Sequence, residues 1–147
     1  MNSVRRLPFP MLCLLWAGMV IGISFIEAPV KFRAPTLTRA VALDVGRTVF
    51  HASQWVQVGL GGLALASAAW ARLPRWAWVS LAVAGGTLLL QMAWIFPMLD
   101  ARAQVIISGG VPTAPTPHAL YGVLEVVKLL ALGVAAVLAL RAPAAAP

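Results

Sequence analysis

Twenty residues without a charged side chain separate Arg6 from Glu27, and runs of 24 separate Arg47 from Arg72 and Arg75 from Asp100. A helix needs about 20 apolar residues to cross the hydrocarbon core of a bilayer, so each run is long enough for one crossing. A fourth apolar run, from about His118 to Leu140, carries only Glu125 and Lys128 as charges. This pattern predicts an all-α integral membrane protein, a four-helix antiparallel bundle. Its spans fall near 7–27, 48–70, 76–99 and 118–140 of a single transmembrane domain over 1–147.

Four such helices use nearly the whole of the 147 residues. Any function therefore belongs to the bundle, its longer loops or a partner. A composition 61% hydrophobic and 10% charged lies far from that of ordinary soluble domains. The net charge of +7 comes from basic residues scattered in ones and twos, which act as orientation signals and contacts to anionic head groups. They form no soluble basic face, so nucleic acid is not an expected partner. The expected partners are the lipid bilayer, other membrane subunits or a second copy of the chain. One cysteine, Cys13, excludes an internal disulfide and reads as a small packing residue. The stretch after Arg5-Arg6 is too long for the apolar core of a signal peptide, and Ser24-Phe25-Ile26-Glu27-Ala28 is no cleavage site. It is expected to remain as the first helix.

Basic residues divide evenly between the two sides. Arg5, Arg6, Arg72, Arg75 and Arg141 lie on one, and Lys31, Arg33, Arg39, Arg47 and Arg102 on the other. The arginine pair before the first helix breaks the tie towards cytoplasmic termini in a bacterial inner membrane. The link Ala71-Arg-Leu-Pro-Arg75 is short enough to force a helical hairpin, with Trp70, Trp76 and Trp78 around it as an interfacial belt. Pro29 and Pro35 end the first helix, and a short interfacial helix is expected from about Thr36, with Arg39, Leu43 and Arg47 at four-residue spacing, either at the membrane surface or as an extension of the second helix beyond it. Pro97 favours a kink near the end of the third helix. Thr116 and Pro117 read as the N-cap and first position of the fourth. Gly18-x-x-x-Gly22, Gly61-Gly62 and Gly85-Gly86 are expected to pack inside the bundle rather than to form a dimer seam.

Glu125 lies seven residues past His118 and so roughly 10 Å deep, and Lys128 roughly 15 Å deep, close to the midplane. Charges there cost at least about 2.5–3.5 kcal/mol each and turn towards the bundle interior. Tyr121, Glu125 and Lys128 share one helix face. The third helix offers Ser80, Ala84, Thr87, Gln91, Trp94 and Met98 on one stripe, the second Arg47, His51 and Gln54 with Gln57 slightly off line, and the first Ser24, Glu27 and Lys31. A polar intramembrane site of Glu27, His51, Gln54, Gln91, Tyr121, Glu125 and Lys128 is the resulting expectation. The plainer reading of the same groups is interhelical glue, with Glu125 and Lys128 neutralising each other for insertion, and a third is a polar face completed by a partner's membrane helix.

His51 and His118 fall near helix ends on the same side. They carry the redox alternative, a b-type haem between two histidines or a copper site completed by Met98. His51 is otherwise expected to bond Glu27 or Gln54, and His118 to sit at a wet interface. Motifs for other chemistries are missing from the sequence, with four acidic residues in all and no G-x-S-x-G, phosphate loop or C-x-x-C.

Two stretches carry a family resemblance: Gly22-Ile-Ser-Phe-Ile-Glu-Ala-Pro-Val-Lys-Phe32 running on to Ala42-Leu-Asp-Val-Gly-Arg47, and Phe96-Pro-Met-Leu-Asp-Ala-Arg102 followed by His118 to Lys128. The chain resembles uncharacterised small bacterial four-helix membrane proteins grouped as domains of unknown function. That resemblance implies the architecture and no activity. The leading functional expectation is a non-enzymatic accessory or small-molecule-binding subunit. A proton-coupled carrier ranks below the redox reading, since the inner halves of the helices offer few titratable groups.

Overall fold

The computed structural model describes residues 6–113 and 116–141. Arg5, half of the arginine pair used for orientation, lies outside the described residues. Four helical rods make up the described chain: α1 over Pro8–Arg33, α2 over Arg39–Trp70, α3 over Arg75–Ile107 and α4 over His118–Arg141. Strands are absent from the described residues.

Three rods, α1, α3 and α4, are long and apolar enough to cross a membrane by length and composition. The four expected helices are all present, and α2 alone falls short of that criterion. Rod α2 has 32 residues and ample length, but it dilutes its apolar content with Ser53, Gln54 and Gln57, all of which it turns inward. The outward faces are apolar on every rod, with Leu15, Trp55, Leu63, Leu89 and Leu130 each more than half exposed. Helices apolar all round belong to large cores or to membranes.

The expected short interfacial helix does not form as a separate element. Thr38 caps α2 by accepting a hydrogen bond from the Val41 N–H at 3.3 Å, and the helix then runs unbroken to Trp70. Between Arg39 and Trp70 no proline interrupts the ladder, so the first turns simply prolong the rod.

Rods α1 and α3 share an irregularity. Rod α1 passes from α-helix (Pro8–Val20) into a π-helical stretch, Ile21–Glu27, two residues ahead of Pro29. Rod α3 does the same at Gln91–Ile95, two residues ahead of Pro97. A proline lacks the N–H that the carbonyl four residues back expects, and its ring presses on that carbonyl. Widening the preceding turn relieves the clash, and the Ala28 and Phe96 N–H groups reach back five residues, to Ile23 and Gln91. The kink anticipated at Pro97 takes this form.

The Ala71–Pro74 link turns α2 back onto α3 through Arg72, whose φ of 49° is left-handed. The Leu73 N–H meets the Ala68 carbonyl at 3.0 Å, the six-to-one closure typical of a helix C-terminus. Next to this turn lies the main apolar core, in which Phe9, Trp16, Leu60, Leu81 and Leu132 pack with Ala64, Ala68, Ala77, Ala135 and Ala136. The alanines let the rods approach closely. The glycine expectation fails in most places. A Cβ on Gly18, Gly22, Gly62, Gly85 or Gly86 would meet nothing within 4 Å, while one on Gly61 would touch the Trp16 ring at 3.3 Å. At the far end Thr116 Oγ1 accepts from the His118 N–H at 3.3 Å, which is the anticipated cap of α4.

Candidate functional site

All four rods contribute to one buried hydrogen-bonded network. From α1, the Trp16 indole N–H donates to Gln57 Oε1 on α2 at 2.9 Å. The same oxygen accepts from Lys128 Nζ on α4 at 2.8 Å. Lys128 also approaches Glu125 Oε1 at 3.4 Å, and Gln91 Nε2 on α3 donates to that oxygen at 2.9 Å. The Gln91 amide reaches the Tyr121 carbonyl at 3.3 Å as well, and the Tyr121 hydroxyl lies beside Gln54 and Glu125. Lys128 and Gln91 are 0% exposed and Glu125 1%, so these charges have no water to fall back on.

Helical spacing explains the convergence. Tyr121, Glu125 and Lys128 occupy one face of α4 and are all buried, followed by Leu132, Ala135 and Ala139. On α2, Gln54, Gln57, Leu60 and Ala64 form the inward stripe. Glu125 and Lys128 form a buried ion pair at 3.4 Å through one carboxylate oxygen. Lys128 also donates to Gln57, and Glu125 also accepts from Gln91 and adjoins the Tyr121 hydroxyl.

The network is not closed. Among the described residues four buried side-chain atoms lack a hydrogen-bond partner: Gln54 Nε2, Gln91 Oε1 and Glu125 Oε2 in the network, and Ser67 Oγ towards the other end of α2. An unpaired buried polar group costs about 1–3 kcal/mol, which makes a cluster of three a place where a ligand has something to gain.

Above the network, at the loop end, lies a partly open cleft of about 600 Å³. Tyr121 belongs to both, since it lines the cleft and adjoins Glu125. The cleft gathers the C-terminal parts of α1 and α3 and the N-terminal parts of α2 and α4. Its basic side chains are Lys31, Arg39, Arg47 and Arg102, and Asp100 is its carboxylate. Arg47 donates through Nε and Nη2 to the two oxygens of Asp100 at 2.5 and 3.2 Å, a bidentate clasp between α2 and α3. Lys31 pairs with Glu27 at 3.2 Å, and its side chain is 9% exposed. Its Nζ stands 5.7 Å from the centroids of both the Phe32 and Phe50 rings, within cation–π range.

Five of the seven expected site residues, Gln54, Gln91, Tyr121, Glu125 and Lys128, come together in the network. Glu27 and His51 do not join it. Glu27 is occupied by Lys31, one turn along α1. The His51 side chain is 57% exposed, with Nε2 3.8 Å from Asp100 and its ring edge-on to Phe96 at 4.7 Å. Its neighbour is thus Asp100 rather than Glu27 or Gln54. His118 is exposed and lines the cleft, whereas His51 and Met98 are outside its wall. Among the described residues no group of three His, Cys, Asp or Glu side chains has an arrangement that holds a metal ion.

Sequence reasoning missed Trp16 altogether and set Gln57 off the line, although Gln57 is the acceptor that ties α1 to α4. On α3 the expected stripe holds as far as Gln91 and then fails. Trp94 and Met98 face outward, while Ile95 and Phe96 are buried. The π-helical turn at Gln91–Ile95 adds a residue to the repeat, which rotates everything beyond it. Pro97 was the available signal.

Three rods of membrane-crossing length and apolarity around a polar interior suggest a membrane-spanning helical protein. The family is shown directly. The chain belongs to the family described as domain of unknown function DUF4149, whose model matches residues 11–106. The match takes in Trp16, Gln57, Gln91 and most of the cleft, and it ends before α4 with Tyr121, Glu125 and Lys128. No curated protein and no solved structure matches the chain.

Proposed function

We propose that this protein is a four-span antiparallel bundle of a bacterial inner membrane, with cytoplasmic termini, acting as a non-enzymatic accessory or small-molecule-binding subunit. In this reading α2 is the fourth span, its polar face shielded from lipid by the other three rods. The ligand occupies the cleft at the loop end, which shares Tyr121 with the network beneath. The observation that carries the reading is a cleft of about 600 Å³ that shares Tyr121 with the buried polar network. That volume falls within the range of small-molecule sites. The outward apolar faces are given to lipid, to other membrane subunits or to a second copy of the chain.

The test is substitution of Gln91, Glu125 and Lys128 by alanine, one at a time, in the protein's own membrane. Loss of a co-purifying small molecule from Gln91→Ala, with the bundle still monodisperse, is the expected result. Unchanged folding, ligand content and deletion phenotype in all three variants would overturn the reading.

A further inference from the structure

The cleft itself indicates what kind of molecule it takes. Its floor is apolar and aromatic, built from Phe25, Phe32, Phe50, Phe96 and Leu99, and its charged lining is Lys31, Arg39, Arg47 and Arg102 against Asp100. Glu27 and Asp44 pair with Lys31 and Arg47, and cations still outnumber carboxylates when both are included. A membrane protein that keeps this many cations beside an aromatic floor has built a site of mixed character: apolar for a chain, positive for a head.

Two local features sharpen the positive part. Arg39 is the first residue of the 32-residue helix α2, where the helix dipole disfavours a cation; an anion seated there satisfies both the guanidinium and the exposed N–H groups of the first turn. Lys31 is held in place by Gly46. A Cβ at Gly46 would collide with Lys31 Nζ, so the absence of a side chain on α2 makes the seat for the ammonium of α1. Its three donors have one carboxylate contact, to Glu27.

We propose that the cleft binds an anionic amphiphile, an oxyanion head group on a long apolar chain, with the head between Lys31 and Arg39 and the chain along Phe50 and Phe96. This inference rests on the small-molecule reading above and names the ligand class for that site. A free long-chain carboxylate and a phosphate-headed lipid share the chemistry, and both lie within lateral reach of a protein in a bilayer.

The experiment uses the full chain, delipidated and then offered oleate, dioleoyl phosphatidate or neutral monoolein, with bound lipid read by native mass spectrometry. Retention of oleate, phosphatidate or both over monoolein supports the proposal; the one retained identifies the source. Arg39→Gln, at an exposed position, should weaken retention about tenfold, as expected for loss of a charge-assisted hydrogen bond. Lys31→Gln should do the same, and Gly46→Leu should abolish retention by pushing the Lys31 ammonium from its seat without removing a charge. Equal binding of monoolein, or oleate binding unaltered in both Arg39→Gln and Gly46→Leu, overturns it. Failure of all three lipids to bind, while a different small molecule co-purifies with the native protein, overturns this inference and leaves the small-molecule reading standing. A protein that carries nothing from its own membrane and takes up none of the three sinks both.

Discussion

Near the Ala71–Pro74 turn the four rods meet through alanines and large apolar side chains, in regular α-helix. Near the cleft the same rods carry glutamines, an ion pair, aromatic rings and two π-helical stretches. The first half packs tightly, with Ser67 Oγ as its unpartnered buried polar atom among the described residues. The second half keeps buried polar atoms unpaired and a cavity open, both of which cost stability. Elements that break local rules at a cost tend to mark where a protein works. The position of the π-helical turns, both beside the cleft and both ahead of a proline, fits that pattern.

The two halves should therefore respond differently to substitution. The largest effects are expected at Glu125 and Lys128, where the halves meet. Glu125→Leu or Lys128→Met alone leaves a buried charge without its neighbour and should cost about 3–5 kcal/mol. The double variant should cost clearly less than the sum, read by unfolding of the detergent-solubilised protein in a double-mutant cycle. Additive losses would show that the two groups answer to different partners.

Next come the tightly packed positions. Ala136→Leu, at a site with no exposure, should lose about 1–3 kcal/mol by overpacking, with no change in ligand retention. Gly46→Leu should do the reverse, emptying the cleft of ligand while changing stability much less, because its nearest neighbour is the movable end of Lys31. If both substitutions perturb stability and retention alike, the two halves are not separable.

The smallest effect is expected at His51. Its exposed ring leaves His51→Ala within about 0.5 kcal/mol of the parent, and the absorption spectrum of the purified protein should not depend on it. A Soret band lost in His51→Ala would instead revive the haem reading.

How much of this was legible in the sequence follows the same division. The rods, their turns and the inward face of α4 could be read because helical periodicity is undisturbed there: Tyr121, Glu125 and Lys128 keep their spacing to the bundle axis. Trp94 and Met98 were misplaced because a π-helical turn shifts phase without changing composition, and only Pro97 hinted at it. The spacing of Arg39, Leu43 and Arg47 fits a surface helix and an extended α2 equally; Thr38 caps a continuous α2, and Arg47 points across to Asp100 and ties α2 to α3. The cleft was invisible from any single helix. Lys31 and Gly46 belong to different rods, and their contact depends on how α1 and α2 lie together. Trp16 has no polar neighbour in sequence that would announce its bond to Gln57.

The central claim is that the polar, irregular half of the bundle is a ligand site and the apolar half its frame. Native mass spectrometry of the protein extracted gently from its own membrane, parent beside Gly46→Leu, tests it most directly. The account predicts a parent mass above that of the bare chain by one small molecule, and a Gly46→Leu variant that folds and carries none. A parent protein at its bare mass, or a variant that retains the same adduct, would contradict it.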